Sequence, residues 1–359
     1  MSVENSERGA SKLLRGRAPI YHVDHEWLSL HDEEPIDPGL PIVDPHHHLW
    51  NQDGPYLVPQ LVEDLRCGHN LRGSVYIEAI RWMHRADGDP RFATVGEVEW
   101  ANGVAAEFAS GFHGDIRACA GIVGGVDLTL GDLAEEVLFA CIARAPDRFR
   151  GVRVGSAWDP NPGVTQMLRP PPSDLLMREE FRRGFAKLAP LNLTFDSWCY
   201  HPQLPQLIDL ADSFPDTTIV VNHAGGRLGE GPYASRPEEV FADWKASIRA
   251  LAKRPNVLVK LGGLNMQWAG FGFLDRDRPP TSLELAQAWR PVFETCIEAF
   301  GTSRAMFESN YPPDKAGCTP RILWNAFKRV AEGYSEDERR QLFAGTAIST
   351  YRLPEELGQ

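Results

Sequence analysis

The chain is predicted to be an α/β protein, a (β/α)8 TIM barrel with an N-terminal extended arm and extra C-terminal helices, on three observations. Short β-branched runs recur eight times from residue 41 onward. Amphipathic stretches of helical period separate them. Chemically capable side chains cluster where the runs end, as they do at the mouth of such barrels. A chain of 359 residues has the length for one large barrel.

Residues 1–40 read as the arm, rich in charge and proline (Pro35, Pro38) and carrying Tyr21, His22, Trp27 and Leu28, which suit docking on the body or on a neighbouring subunit. The barrel domain takes residues 41–359. Its strands are expected at Pro41–Asp44, Ser74–Ala79, Ala118–Val126, Phe149–Gly155, Leu193–Trp198, Thr218–His223, Asn256–Gly262 and Ala305–Asn310. Helical patterns lie between them at Phe92–Phe112, Leu128–Ala145, Ser173–Leu188, Leu204–Ser213, Pro237–Lys253 and Ser282–Phe300. The tail, Arg321–Tyr351, continues as helix, and Ser335 with Glu338 gives a capping-box start. Two long loops, Ile80–Pro90 and Gly263–Pro280, follow the second and seventh strands. The second of these holds Trp268 among other aromatics and is a candidate substrate wall.

Composition narrows the function classes. A formal net charge of −12 repels nucleic-acid phosphates, and no basic run counters it. The six cysteines include no CxxC pair, which fits reduced thiols in a cytoplasmic protein. Residues 1–17 lack the apolar segment of a signal peptide, and no apolar run is long enough to cross a bilayer. The expected partners are a small-molecule substrate and further subunits, in a homo- or hetero-oligomer.

The most informative stretch is Asp44-Pro45-His46-His47-His48-Leu49-Trp50, after the apolar run Pro41-Ile42-Val43. Extended backbone puts His46 and His48 on one side, a chelating pair for zinc, iron or manganese. Glu78 lies inside Val75-Tyr76-Ile77-Glu78-Ala79, where a charge needs a metal or an ion-pair partner such as Arg81 or Arg153. His201 and His223 follow the fifth and sixth strands and complete a set of four imidazoles. His84, in the loop after strand 2, is in reach of substrate.

These residues resemble the amidohydrolase-related branch of the amidohydrolase superfamily, which includes lactonases, related hydrolases and carboxylate decarboxylases. The likeness runs from about residue 41 to 352. It rests on Val43–Trp50, Tyr200-His201-Pro202, Asn222-His223-Ala224-Gly225-Gly226, Lys260-Leu261-Gly262-Gly263 and Met306–Pro312. It implies that His46 and His48 are metal ligands from strand 1 and His201 a ligand from strand 5. His223 would be a ligand from strand 6 or would polarise the substrate. One departure stands out. Strand 8 of the hydrolytic pattern ends in an aspartate that takes a proton from the attacking water, whereas this chain has Asn310. An amide cannot accept that proton. Glu78, Asp196, Glu308 and Asp314 are the carboxylates available to replace it.

Three readings follow. The first is hydrolysis of a lactone, ester or amide of a small carboxylate-bearing metabolite, with one or two divalent ions (Zn, Mn or Fe) and with Arg153 or Lys260 holding the substrate carboxylate. It ranks first as the commoner chemistry of the branch. The second is oxygenation at non-heme iron, alone or with manganese, using the histidines and Glu78. The third groups metal-dependent decarboxylation with a non-catalytic subunit that supports an active partner.

Overall fold

The computed structural model describes residues 22–51, 54–79 and 81–359. The first 21 residues of the expected arm, Tyr21 among them, lie outside the described residues. Eight parallel strands run β1 (Pro41–His47), β2 (Asn70–Ile77), β3 (Arg117–Gly124), β4 (Phe149–Gly155), β5 (Thr194–Trp198), β6 (Ile219–Val221), β7 (Val257–Leu261) and β8 (Ala305–Phe307). Each pairs with the next in sequence order. The last meets the first through a bridge between His47 and Tyr311, with Asn310 N donating to His46 O at 2.9 Å and His48 N to Tyr311 O at 2.7 Å. The strands thus form a nearly closed TIM barrel with helices between them.

Four strands stop two or three residues earlier than their apolar runs suggest, and for β6 and β8 the reason is in the backbone. After β6, His223, Ala224, Gly225 and Gly226 all take positive φ, which no strand accommodates. After β8, the amide of Ser309 turns to the Asp44 carboxylate at 2.9 Å and Asn310 adopts φ 52°. Both chains therefore leave the sheet at the barrel mouth.

Strand alternation decides what fills the barrel. Gly151, Arg153 and Gly155 of β4 stand beside Thr194, Asp196 and Trp198 of β5, and Asp196 beside Val220 of β6. Gly151 has to be glycine, because a Cβ there would lie 2.1 Å from Thr194 Oγ1. In β1, Pro45 has no N–H for the ladder, and the register shifts between Asp44 and His47. Val43 consequently packs with the interior valines, whereas beyond the shift His46 and His48 turn inward and His47 outward to Ser74.

The C-terminal segment completes this interior. Ala344, Ala347, Tyr351, Leu353 and Leu357 pack on Val43, Val75, Ile77, Val123, Val220 and Met306, forming a cluster separate from the one between barrel and helices. The arm from residue 22 docks on the chain's own body. Trp27 is buried and donates from Nε1 to Arg276 O at 3.0 Å. Glu33 accepts from Ser282 N at 2.7 Å, capping the helix Ser282–Phe300. No helix among the described residues is long and apolar enough to cross a membrane.

Candidate metal centre

Inside the mouth, polar side chains from most of the strands converge. His46 and His48 come from the end of β1, His223 from just past β6, and Glu308 from just past β8; all four are buried. Glu308 bridges two imidazoles. Its Oε1 lies 2.7 Å from His223 Nδ1, and its Oε2 lies 2.6 Å from His46 Nδ1. A carboxylate oxygen at that range requires the hydrogen on each Nδ1, which leaves both Nε2 atoms as lone-pair donors. His48 reaches the same tautomer by another route. Its Nδ1 donates to Ile77 O and Glu78 O, each at 3.0 Å.

The consequence is a face-to-face pair: His46 Nε2 and His48 Nε2 are 3.2 Å apart. Two lone pairs at that distance repel unless a positive charge lies between them. A proton is a poor candidate. Burial is the largest influence on both rings and holds both well below the usual histidine range; the Glu308 charge opposes it at His46, and Arg153 reinforces it at His48. A metal ion fits better, because two imidazole nitrogens each about 2.0 Å from one ion near a tetrahedral angle stand about 3.3 Å apart, close to the observed 3.2 Å. Among the described residues, His46, His223 and Glu308 also bring ligating atoms within 4.8 Å of one another. Because Glu308 is engaged at both Nδ1 atoms, we read it as the group that orients the rings. Burial works against its charge, yet the two imidazoles outweigh burial and keep it well below the usual carboxylate range.

Glycines make this packing possible. A Cβ at Gly262 would lie 2.4 Å from Glu308 Cγ, and one at Gly263 would lie 2.5 Å from His223 Cβ. The Gly262-Gly263 pair therefore lets the chain just past β7 run close against the His223–Glu308 contact.

With this geometry in view, comparison with known proteins is decisive for the family. The amidohydrolase family model matches residues 43–353. The chain belongs to the amidohydrolase family. An uncharacterised protein of Sinorhizobium fredii, y4mH, is 30% identical over 335 residues, 88% of this chain and 99% of that protein. An L-fucono-1,5-lactonase of Burkholderia multivorans is 30% identical over 178 residues, 49% of this chain and 57% of its own. A solved amidohydrolase from Burkholderia multivorans with bound zinc superposes with TM-score 0.67 at 23% identity, covering 88% of this chain and all of that one. A 5-carboxyvanillate decarboxylase from Novosphingobium aromaticivorans, complexed with manganese, gives 0.55 at 13%, covering 88% and 97%. At these identities the structures share the fold.

In this amidohydrolase the remaining sequence candidates divide between the centre and its surroundings. Lys260 and Arg153, expected to hold a substrate carboxylate, bind protein carboxylates instead. Lys260 is fully enclosed, with Nζ 2.6 Å from Asp196 Oδ1, 2.8 Å from Pro45 O and 3.4 Å from His46 Nδ1. Arg153 pairs with Glu78 at 2.6 Å and also donates to Glu78 O at 2.8 Å. Glu78 thus takes the ion-pair alternative. His201, like Glu78 and His48, is not among the three residues whose ligating atoms lie within 4.8 Å of one another. Its Nδ1 accepts from Leu228 N at 3.3 Å and its ring meets Tyr233 edge-on. His84 lies 3.5 Å from Glu97, which burial raises and which also takes Tyr76 Oη at 2.7 Å.

Asn310 and Asp314 form a unit at the end of β8. Asn310 Nδ2 donates to Asp314 Oδ2 at 2.5 Å, and Asp314 Oδ1 accepts from Asn265 N at 2.7 Å. Burial pushes the Asp314 carboxyl up to about 8. Trp268 is buried and packs 5.2 Å from Trp198, whose ring meets His223 at 4.6 Å, so the aromatic wall reaches the centre through Trp198. Sequence reasoning assigned no role to several groups. Asp44 accepts from Ser309 Oγ at 2.6 Å and ties the ends of β1 and β8 together. Tyr351 Oη donates to Asp196 Oδ1 at 2.9 Å from the far end of the chain. Asp44 sat inside the recognised motif, but no local signal marks Tyr351.

Proposed function

We propose that this amidohydrolase hydrolyses a lactone or related ester of a small carboxylate-bearing molecule, with a divalent cation held by His46, His48 and His223. The observation that carries the proposal is the pair of buried, neutral Nε2 atoms 3.2 Å apart. Its donor set of neutral imidazoles suits zinc or manganese. A bound ion supplies Lewis-acid polarisation of the carbonyl and a water of lowered pKa. Glu308 holds the Nδ1 hydrogens of His46 and His223, which leaves the Nε2 of each ring as its ligating atom. Lys260, itself fixed by Asp196, holds the β1 backbone next to His46 by donating to Pro45 O at 2.8 Å. Asp314, whose Oδ2 faces the Asn310 amide, is the carboxyl we assign as the proton acceptor that Asn310 cannot be; burial raises its pKa to about 8, so it acts as a base through its ionised form, which gains population as pH rises toward 8. The lactonase relative, 30% identical over half of this chain, supports the choice of substrate.

The test is metal content per chain in protein kept free of chelators, paired with turnover of a lactone panel under anaerobic conditions. The expected result is bound zinc or manganese and oxygen-independent ring opening, both lost in a His46→Ala, His48→Ala variant. Wild-type protein without metal, or lactone turnover that survives the double substitution, refutes the proposal.

A further inference from the structure

With Arg153 and Lys260 committed to Glu78 and Asp196, the barrel mouth needs another cation if the substrate carries a carboxylate. Arg227, four residues past His223, has the properties of one. Arg153, Lys260 and Lys315 each hold a carboxylate at 2.6 Å. Arg227 holds none among the described residues, in a chain with 49 acidic residues against 37 basic ones. Its Nε is buried without a hydrogen-bond partner, and Nη2 makes one long contact, 3.5 Å to Ala269 O. The guanidinium stands 5.3 Å from the centre of the Phe271 ring, and burial lowers its pKa. A half-buried guanidinium with an idle donor, braced on an aromatic face, is arranged to receive a planar anion.

Phe271 also lines a cavity of about 330 Å³ between the loops after β6 and β7, together with Leu264, Met266, Phe273 and Leu274. The cavity adjoins the centre. Met266 Sδ is 3.2 Å from Asn310 Nδ2, and Asn265, another wall residue, donates its N–H to Asp314. Two acidic residues, Glu230 and Asp275, line it too. Glu230 is turned onto the Thr165 amide, and burial raises its pKa. An anionic group entering here is drawn to the Arg227 guanidinium over the Phe271 ring, which fixes its orientation.

We propose that Arg227 binds the free carboxylate of the substrate while an apolar, ring-sized body fills the adjoining cavity. The substrate class is therefore a lactone or ester that carries both a carboxylate and an aromatic or branched apolar portion. This assignment rests on the hydrolase reading for the reaction, but its test needs no turnover. Binding of 3-phenylpropionate and of the neutral 3-phenylpropionamide is measured by calorimetry on the metal-replete protein and again after metal removal. The expected result is tighter binding of the carboxylate by roughly 10- to 100-fold, as for one charge-assisted hydrogen-bonding contact. That preference persists without metal, is abolished in Arg227→Gln and is partly kept in Arg227→Lys. Equal affinity for the two probes, a preference unchanged in Arg227→Gln, or a preference that vanishes with the metal overturns the proposal. A protein that prefers the carboxylate through Arg227 yet opens no lactone refutes the hydrolase reading alone.

Discussion

Replacing Gly263 by alanine probes the centre at its tightest point. The new Cβ would stand 2.5 Å from His223 Cβ and Cγ and 2.6 Å from Nδ1, at a backbone φ of +73°. Ordinary carbon contacts begin near 3.5 Å, so the imidazole has to retreat by about 1 Å. The left-handed backbone costs an alanine about 1–2 kcal/mol. Overpacking adds about 1–3 kcal/mol, for a combined loss of about 2–5 kcal/mol. Retreat of the ring also breaks the 2.7 Å contact between His223 Nδ1 and Glu308. Losing such a supporting contact weakens metal binding by roughly 10- to 100-fold. Urea unfolding with metal-affinity titration by a chromophoric chelator measures both effects. Gly111→Ala is the control, since Gly111 has φ +81° and nothing within 4 Å of an added Cβ, so only the backbone cost applies. If Gly263→Ala matches that control in stability and keeps wild-type metal affinity, the packing argument fails.

Breaking the Arg153–Glu78 pair one side at a time is expected to cost about 3 kcal/mol, because the surviving charge is left mostly buried. Arg153→Met with Glu78→Gln should cost less than the two changes summed, as a double-mutant cycle in urea will show. Tyr351→Phe removes a donor to Asp196, leaving one fewer partner on a fully buried carboxylate. A loss of about 1–2 kcal/mol is expected, with unchanged far-UV circular dichroism. Asp314 sets a pH dependence. Its folded value, near 8, lies above the ordinary 3.8, so between these values the unfolded chain gives up a proton that the folded chain retains. Stability therefore falls as pH rises from about 4 to about 8, and Asp314→Asn flattens that slope in melting temperatures taken across the range.

Much of the barrel was legible because the signals behind it are local. Alternation along each run and helical period between runs depend on neighbours a few residues apart. Accordingly Phe149–Gly155, Leu204–Ser213 and Ser282–Phe300 fall where the pattern puts them. The His-x-His motif is local in the same way, though its inward aim also depends on the register shift at Pro45. The ends of β6 and β8 were misplaced because their continuations look extended in sequence, while long-range contacts pull them into positive φ.

The sequence by itself therefore determined the strand and helix succession, the histidine pair on β1 and the anomaly of an amide at Asn310. Tertiary structure decided which charge meets which. Glu308 joins His223 across 85 residues, Arg153 meets Glu78 across 75 and Lys260 reaches His46 across 214. A lysine or arginine on an apolar strand announces only that burial demands a partner. Whether that partner is a substrate or another strand's carboxylate depends on barrel closure and register, because a buried charge takes the nearest opposite charge that the fold brings to it. Closure turned Arg153 and Lys260 inward to protein carboxylates, set His201 against Tyr233, and left Arg227 over the Phe271 ring with its Nε buried and without a hydrogen-bond partner among the described residues.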